Sequence, residues 1–470
     1  MPSESTPLRT PLTKGSDADV HLKRLKEYQK WAFFVTFGSY FMSHFSRKCC
    51  STVKQQLQSE AGYSDLILSE IDTVFMATYA IGNIVCGKLG DTFSLTTVLS
   101  IGLFGSGACL FLLSVSLWVD LESINNSLGN AFILMLFGLF GFFQSTGVPA
   151  GTALMGTWFC DEASIKNRGL IFGVWTCHQY CGNITAALCT AYILNQGYDY
   201  WWALLIPAMA SFYWGLLTTQ LVADPGEIGI ITDEARIRLR KNEEKAQAGE
   251  KVVDEGPAPI SYASALRIPM VPQYAVAYGF FKLTHLVLFF WLPYFLGRQF
   301  EPATANLIAA LYSVGNMPGS IAIGFVSDLF GGRRATVIGV FMSCLIVFLS
   351  IFSKKSEELG ATALLIMLGI MGILIGGPNN VITTAVAADL ASHPSVRGNK
   401  SLSTVTGIIN GVASLIASIG LSAVGPLHST YGWSSVWLYL IGCSGTGALL
   451  LTPKIWSELF PPDDEVKEIV

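Results

Sequence analysis

WAFFVTFGSYFMSHFSRKCC (31–50) and, in the second half of the chain, YAVAYGFFKLTHLVLFFWLPYFL (274–296) decide the fold. Each is long and apolar enough for a membrane-crossing helix, which needs about 20 such residues. Each also carries a cation, Arg47 in the first and Lys282 in the second. A charge at a helix centre in the bilayer costs roughly 2.5–3.5 kcal/mol even on lenient scales, so it marks a functional position. A G-x-x-x-D signature follows each stretch, G87KLGD91 and G324FVSD328. Arg47 lies 44 residues before Asp91, and Lys282 lies 46 before Asp328, so both occupy nearly equivalent depths in two repeated units. Paired across a repeat interface, two such charges describe an anion site near the bilayer midplane.

The composition agrees. The chain has 470 residues, 51% hydrophobic and only 13% charged, against about 25% charged in soluble proteins. Residues 1–28 read as a polar tail rather than a secretory signal, with the first apolar run opening near Trp31. The ten cysteines fall mostly in apolar stretches without CxxC pairs, and read as packing residues rather than disulfides or metal ligands.

Apolar runs place transmembrane helices near 31–52, 67–88, 97–118, 130–153, 169–193, 202–222, 273–297, 304–327, 335–353, 361–385, 401–425 and 433–453. The expected fold is an all-α membrane protein of twelve transmembrane helices in two pseudo-symmetric six-helix bundles. Its parts are an N-terminal tail (1–30), a first bundle (31–222), a linker (223–272), a second bundle (273–453) and a C-terminal tail (454–470). The repeat extends beyond G-x-x-x-D. Q144STGVP149 precedes R168G169 as I375GGPNN380 precedes R397G398, with 19 residues from proline to arginine in both. Such a duplication predicts two bundles rocking about a shared site.

Positive charge sets the orientation. With the N-terminus inside, 22 of the 29 Lys and Arg residues fall on the cytoplasmic side and 4 on the other, which predicts cytoplasmic termini. The mixed charges of 230–259 read as a short solvated helix and a Gly/Pro tether. A glycosylation sequon at Asn125-Asn126-Ser127 falls on the opposite side.

The ionisable groups well inside the spans are His44, Arg47, Lys48, His178, Lys282 and His285, all basic; acids stand only toward span ends. A cavity lined by cations and lacking carboxylates suits a multiply charged anion and its exchange. Arg47 offers a planar fork for phosphate or carboxylate oxygens, Lys282 a compact point charge. Lys48 is expected to snorkel or meet a carbonyl. His178 shares a polar stripe with Thr176, Gln179 and Asn183 and reads either as a substrate contact or as a hydrogen-bonded packing residue. Tyr40, Tyr79, Asn83, Gln144, Trp175, Tyr278, Asn379, Asn380, Thr383 and Asn410 are expected to line the cavity. Gly87 with Asp91, and Gly324 with Asp328, Arg333 and Arg334, are expected to clamp neighbouring helices through charge and helix dipole. The first copy lacks the basic residues, so its latch should be the weaker. No nucleophile–base pair, metal cluster or cofactor fingerprint is present, which argues against an enzyme and against a bound cofactor.

These features resemble the major facilitator superfamily, and within it the organophosphate:phosphate antiporters, particularly eukaryotic sugar-phosphate exchangers of the exchanger 3 branch. The resemblance is carried by S46RKCCSTVK54, D72TVFMATYAIG82, Q144STGVP149, R168GLIFGVW175, Y262ASALRIP269, F289FWLPYFL296, G376GPNNVITTAVAADL390 and L402STVTGIINGVAS414. It implies exchange of a phosphorylated sugar or polyol for inorganic phosphate, with the lipid bilayer as solvent and no nucleic acid. An endoplasmic reticulum membrane is favoured over lysosomal or plasma membrane, and no accessory membrane subunit is identified. It also implies that Arg47 matches the family's phosphate-binding arginine. Lys282 stands where bacterial members use a second arginine, Asn83 where they place a lysine, and Gln179 where they have a histidine. These departures lower the cavity's positive charge. They leave open another phosphorus-bearing or polyvalent anion, an ion-coupled carrier of other organic anions, and a sensor that binds without transport.

Overall fold

The computed structural model describes residues 16–53, 56–57, 60–63, 65–120, 126–222, 247, 258–296, 298–300, 302–356, 358–396 and 398–460. The segment 1–15, residues 223–257 of the expected 223–272 linker except Gln247, Lys54, Asn125 of the sequon, Arg397 of the second R-G pair and 461–470 lie outside the described residues.

Among the described residues the helices form twelve rods. The first six are Ser16–Thr52, Asp65–Thr92, Leu95–Trp118, Asn126–Gln144 with Gly147–Trp158, Arg168–Trp175 with His178–Asn195, and Trp202–Leu221. The second six are Val271–Leu296, Pro302–Leu329, Arg334–Lys355, Ala361–Val381 running on to Ala391, Leu402–Ser422 with Val424–Tyr431, and Trp433–Leu450 with Thr452–Leu459. Seven of these helices are long and apolar enough to cross a bilayer, and the last pair, bent by 48°, makes an eighth. The first, second, fifth and eighth rods fall short because they are broken or carry polar groups. In a bundle such rods are tolerated where they face protein or a cavity instead of lipid.

Several boundaries move outward from the apolar pattern. The first helix begins at Ser16, well before Trp31, so residues 16–30 of the expected tail are helical. Hydropathy marks only the lipid-embedded part of a rod, and a helix continues into water wherever propensity allows. The fourth and fifth rods break at Ser145–Thr146 and Thr176–Cys177. The tenth carries Pro378, whose missing N–H frees a carbonyl, and relaxes into a π-helical turn over Ile382–Val386.

Between the two halves the rods approach through glycine. A Cβ on Gly324 would lie 2.1 Å from the carbonyl oxygen of Gly169, and one on Gly407 would lie 2.4 Å from that of Asn83. Only glycine permits backbones this close, which is the usual device of membrane helix packing. One extended segment joins the halves as well. Ile260 donates its N–H to the Lys400 carbonyl and Lys400 donates to Ala258, both at 3.0 Å, while Lys88 Nζ donates to the Ile260 carbonyl.

Candidate functional site

Arg47 projects from the first rod, late in its 37 residues. Its Nη2 donates to Gln144 Oε1 at 3.3 Å, and its guanidinium lies 4.6 Å from the Tyr79 ring and 5.3 Å from Phe75. Lys282 projects from the seventh rod, and its Nζ donates to Asn410 Oδ1 and Ser414 Oγ, both at 2.8 Å. That ammonium also lies 5.8 Å from the Tyr79 ring and 5.4 Å from Tyr278. Tyr79 is therefore a common wall for both cations, one contributed by each half.

Neither cation meets a carboxylate within ion-pair distance among the described residues. Arg47 Nε and Gln144 Nε2 are buried without a hydrogen-bond partner. A half-buried cation lacking a counter-charge is costly to keep in the bilayer, and both Arg47 and Lys282 are only half-buried here.

Two polar clusters flank the cations and tie the halves together. In one, Asn410 Nδ2 donates to Asn83 Oδ1 at 2.8 Å and to the Tyr79 hydroxyl at 3.4 Å, linking the second and eleventh rods beneath Lys282. In the other, Gln179 Nε2 donates to Asn380 Oδ1 at 2.9 Å. Asn380 Nδ2 in turn donates to the Tyr180 hydroxyl and to Ser320 Oγ. Hydrogen bonds between neutral groups are individually worth about 1 kcal/mol net, so such contacts can exchange partners as the halves move.

The remaining predicted residues divide into two groups. Tyr278, Gln144 and Gln179 join the cations or the polar clusters, and Asn379 is partly buried with its Oδ1 unpartnered. Thr383 is buried and donates to the Asn380 carbonyl. Tyr40, Trp175 and His178 form an aromatic nest in the first half, with Tyr40 within electrostatic reach of Arg47, Tyr79 and Tyr278. The His178 ring centroid lies 4.3 Å from Tyr40, 4.7 Å from Trp175 and 5.9 Å from His44. Trp175 Nε1 donates to Thr36 Oγ1 at 3.0 Å, and neither His178 nitrogen has a partner. His285 turns to the Tyr312 hydroxyl at 2.8 Å rather than to Lys282. The Lys48 ammonium lies 5.0 Å from the Phe289 ring of the seventh rod.

The G-x-x-x-D residues form a second constellation at one end of the molecule. Asp91 accepts N–H bonds from Ser403 and Thr404 at 3.1 and 2.8 Å. Asp328 accepts from Gly169 and Leu170 at the same two distances. Each carboxylate thus caps the first turn of a helix in the opposite half, where backbone donors lack intrahelical partners and the dipole is positive. The sequence had placed this clamp between neighbouring helices; the structure makes it a bridge between halves. Arg334 adds bonds to Asp328 at 3.1 Å and Asp389 at 2.5 Å, and Arg168 meets Asp389 at 2.8 Å. Arg333 is exposed, and Arg334 alone of the two makes these contacts. Asp91 has no arginine partner among the described residues. Arg168, Asp389, Ser414 and Tyr180 were not assigned roles from sequence; the R-G spacing was the one available signal for Arg168.

The asymmetry is testable. Asp328→Asn should widen this end of the molecule more than Asp91→Asn, because it removes an ion pair as well as weakening a helix cap. A cap of this kind is worth about 0.3–2 kcal/mol, so the open population should rise by roughly twofold to thirtyfold. Distance distributions between spin labels at Lys166 and Arg333 would report it, and equal effects from both substitutions would refute the asymmetry.

Twelve rods in two linked halves, with paired cations between them, define a multi-pass membrane carrier. The pattern described as Major Facilitator Superfamily matches residues 36–301 and 274–468; the chain belongs to this family. A relative from Arabidopsis thaliana, provisionally named glycerol-3-phosphate transporter 1, is 31% identical, covering 92% of this chain and 88% of the relative. Sugar phosphate exchanger 3 of Homo sapiens is 30% identical over 93% of this chain and 95% of its own. Among solved structures, the proton:xylose symporter XylE bound to 6-bromo-6-deoxy-D-glucose superposes with a TM-score of 0.65 at 14% identity. That match covers 93% of this chain and 96% of the symporter, and carries the fold alone.

Proposed function

We propose that this chain is a secondary active transporter exchanging a phosphorylated sugar or polyol, such as glucose 6-phosphate or glycerol 3-phosphate, for inorganic phosphate. The carrying observation is the pair of cations, one per half, around Tyr79 with no carboxylate partner among the described residues. The names of the relatives, glycerol-3-phosphate transporter and sugar phosphate exchanger, support the substrate class.

Exchange follows from the electrostatics. An empty site leaves two positive groups facing each other, which opposes rearrangement of the unloaded protein. A phosphate or phosphate ester neutralises both, and the halves then rock about it, trading the Asp91 and Asp328 caps at one end for closure at the other. Arg47 grips two phosphate oxygens through its fork, Lys282 neutralises the remaining charge, and Tyr79 and Tyr278 wall the organic part. We assign the end bearing Asp91 and Asp328 to the cytoplasm, with both termini, and favour an endoplasmic reticulum membrane. No catalytic residue or cofactor enters this scheme.

Counterflow decides between this and other carriers. Liposomes holding the chain and loaded with phosphate should take up labelled glucose 6-phosphate or glycerol 3-phosphate, whereas liposomes without internal anion should not. Uptake that follows a proton or sodium gradient and ignores internal phosphate would instead mark an ion-coupled carrier. Binding without flux would mark a sensor.

A further inference from the structure

A cavity of about 560 Å³ lies between the start of the first rod, the end of the fourth and the fifth rod, away from the central cations. One rim carries Lys26 and Lys30, both exposed and one helical turn apart, with Lys23 on the same face. The rest of the lining is Gln29, Phe33, Phe159, Leu170, Ile171 and Val174. Phe33 meets Phe159 edge-on at 6.4 Å, and Val174 is 40% exposed. Gln29 fixes the shape. It is buried and donates to the Trp158 carbonyl at 2.9 Å and to Asp161 Oδ1 at 2.7 Å, pinning the first rod to the fourth.

The cavity is therefore cationic at one end and hydrocarbon-like at the other. Lys26 and Phe33 stand seven positions apart, about 10 Å along a helix at 1.5 Å per residue. That is the depth from a headgroup layer to the first methylenes of an acyl chain. Trp31 and Phe34, 52% and 55% exposed beside it, put this stretch at the edge of the bilayer. A soluble phosphate ester would satisfy the lysines but leave the apolar walls in contact with water. The charge and the lining together fit one occupant.

We propose that this cavity binds an anionic phospholipid, its headgroup on Lys26 and Lys30 and an acyl chain against Phe33, Leu170 and Val174. The site is independent of the central anion site and of the exchange reading.

Native mass spectrometry of the full chain, released from detergent with added phosphatidylserine or phosphatidylcholine, tests it. Phosphatidylserine should be retained preferentially. Lys26→Ala with Lys30→Ala should lower that retention roughly thirtyfold, on the scale of about 1 kcal/mol per lysine at a charged membrane surface. Val174→Trp, which keeps both lysines and fills the apolar end, should lower it as well. Lys354→Ala with Lys355→Ala, on the far ninth rod, should leave it unchanged. The proposal is overturned by equal retention of phosphatidylcholine, or by displacement of the lipid with millimolar glycerol 3-phosphate. It is overturned equally if Val174→Trp retains lipid as the unaltered chain does, since the lysines would then act as a surface patch.

Discussion

Arg47→Ala is expected to abolish exchange while leaving the chain folded in the membrane. The side chain packs over Tyr79 and Phe75 and bonds Gln144, all within its own half, so its removal unties no helix from the other half. On the proposed mechanism, what is lost is the fork that grips the anion. Deleting one partner of a desolvated charge pair costs about 2–5 kcal/mol, so uptake should drop by roughly thirtyfold to several thousandfold. Arg47→Lys keeps the charge but not the bidentate geometry, and should recover part of the rate with a weakened apparent affinity. Counterflow into phosphate-loaded liposomes, beside gel filtration in detergent, separates lost transport from lost folding. Near-normal uptake by Arg47→Ala would remove Arg47 from the site.

Lys282→Ala should be as damaging, for a partly different reason. The ammonium bonds Asn410 and Ser414, and Asn410 in turn holds Asn83 across the interface. Alanine removes the charge and loosens the asparagine that joins the second and eleventh rods. Lys282→Gln discriminates between these losses, because its amide can still donate to Asn410 without carrying charge. If charge is what matters, Lys282→Gln is as inactive as Lys282→Ala and Lys282→Arg restores flux. If bridging to Asn410 is what matters, Lys282→Gln retains most of it. The first pattern is expected.

Much of this was readable in the chain. A cation inside an apolar run is conspicuous because lipid penalises it, and two of them at matching depths before G-x-x-x-D pointed to the pair that the fold brings together at Tyr79. The twelve rods followed from hydropathy because the bilayer leaves the backbone little alternative to helix. What escaped was pairing. Nothing local to Asp91 reveals that its partners are the N–H groups of Ser403 and Thr404, more than 300 residues away. Nor does Asp389, near the end of the tenth rod, announce that Arg168 and Arg334 converge on it. His178 shows the converse limit. Its neighbours in sequence form a polar stripe, yet the break at Thr176–Cys177 turns the ring into the aromatic nest and leaves Gln179 to reach Asn380.

The most direct measurement is a structure of the chain in lipid nanodiscs with glycerol 3-phosphate bound. The account predicts one phosphate group whose oxygens lie about 2.7–2.9 Å from the Arg47 guanidinium and from Lys282 Nζ at once, with Tyr79 beside it. A phosphate held by only one of these cations, or bound away from Tyr79, would contradict it.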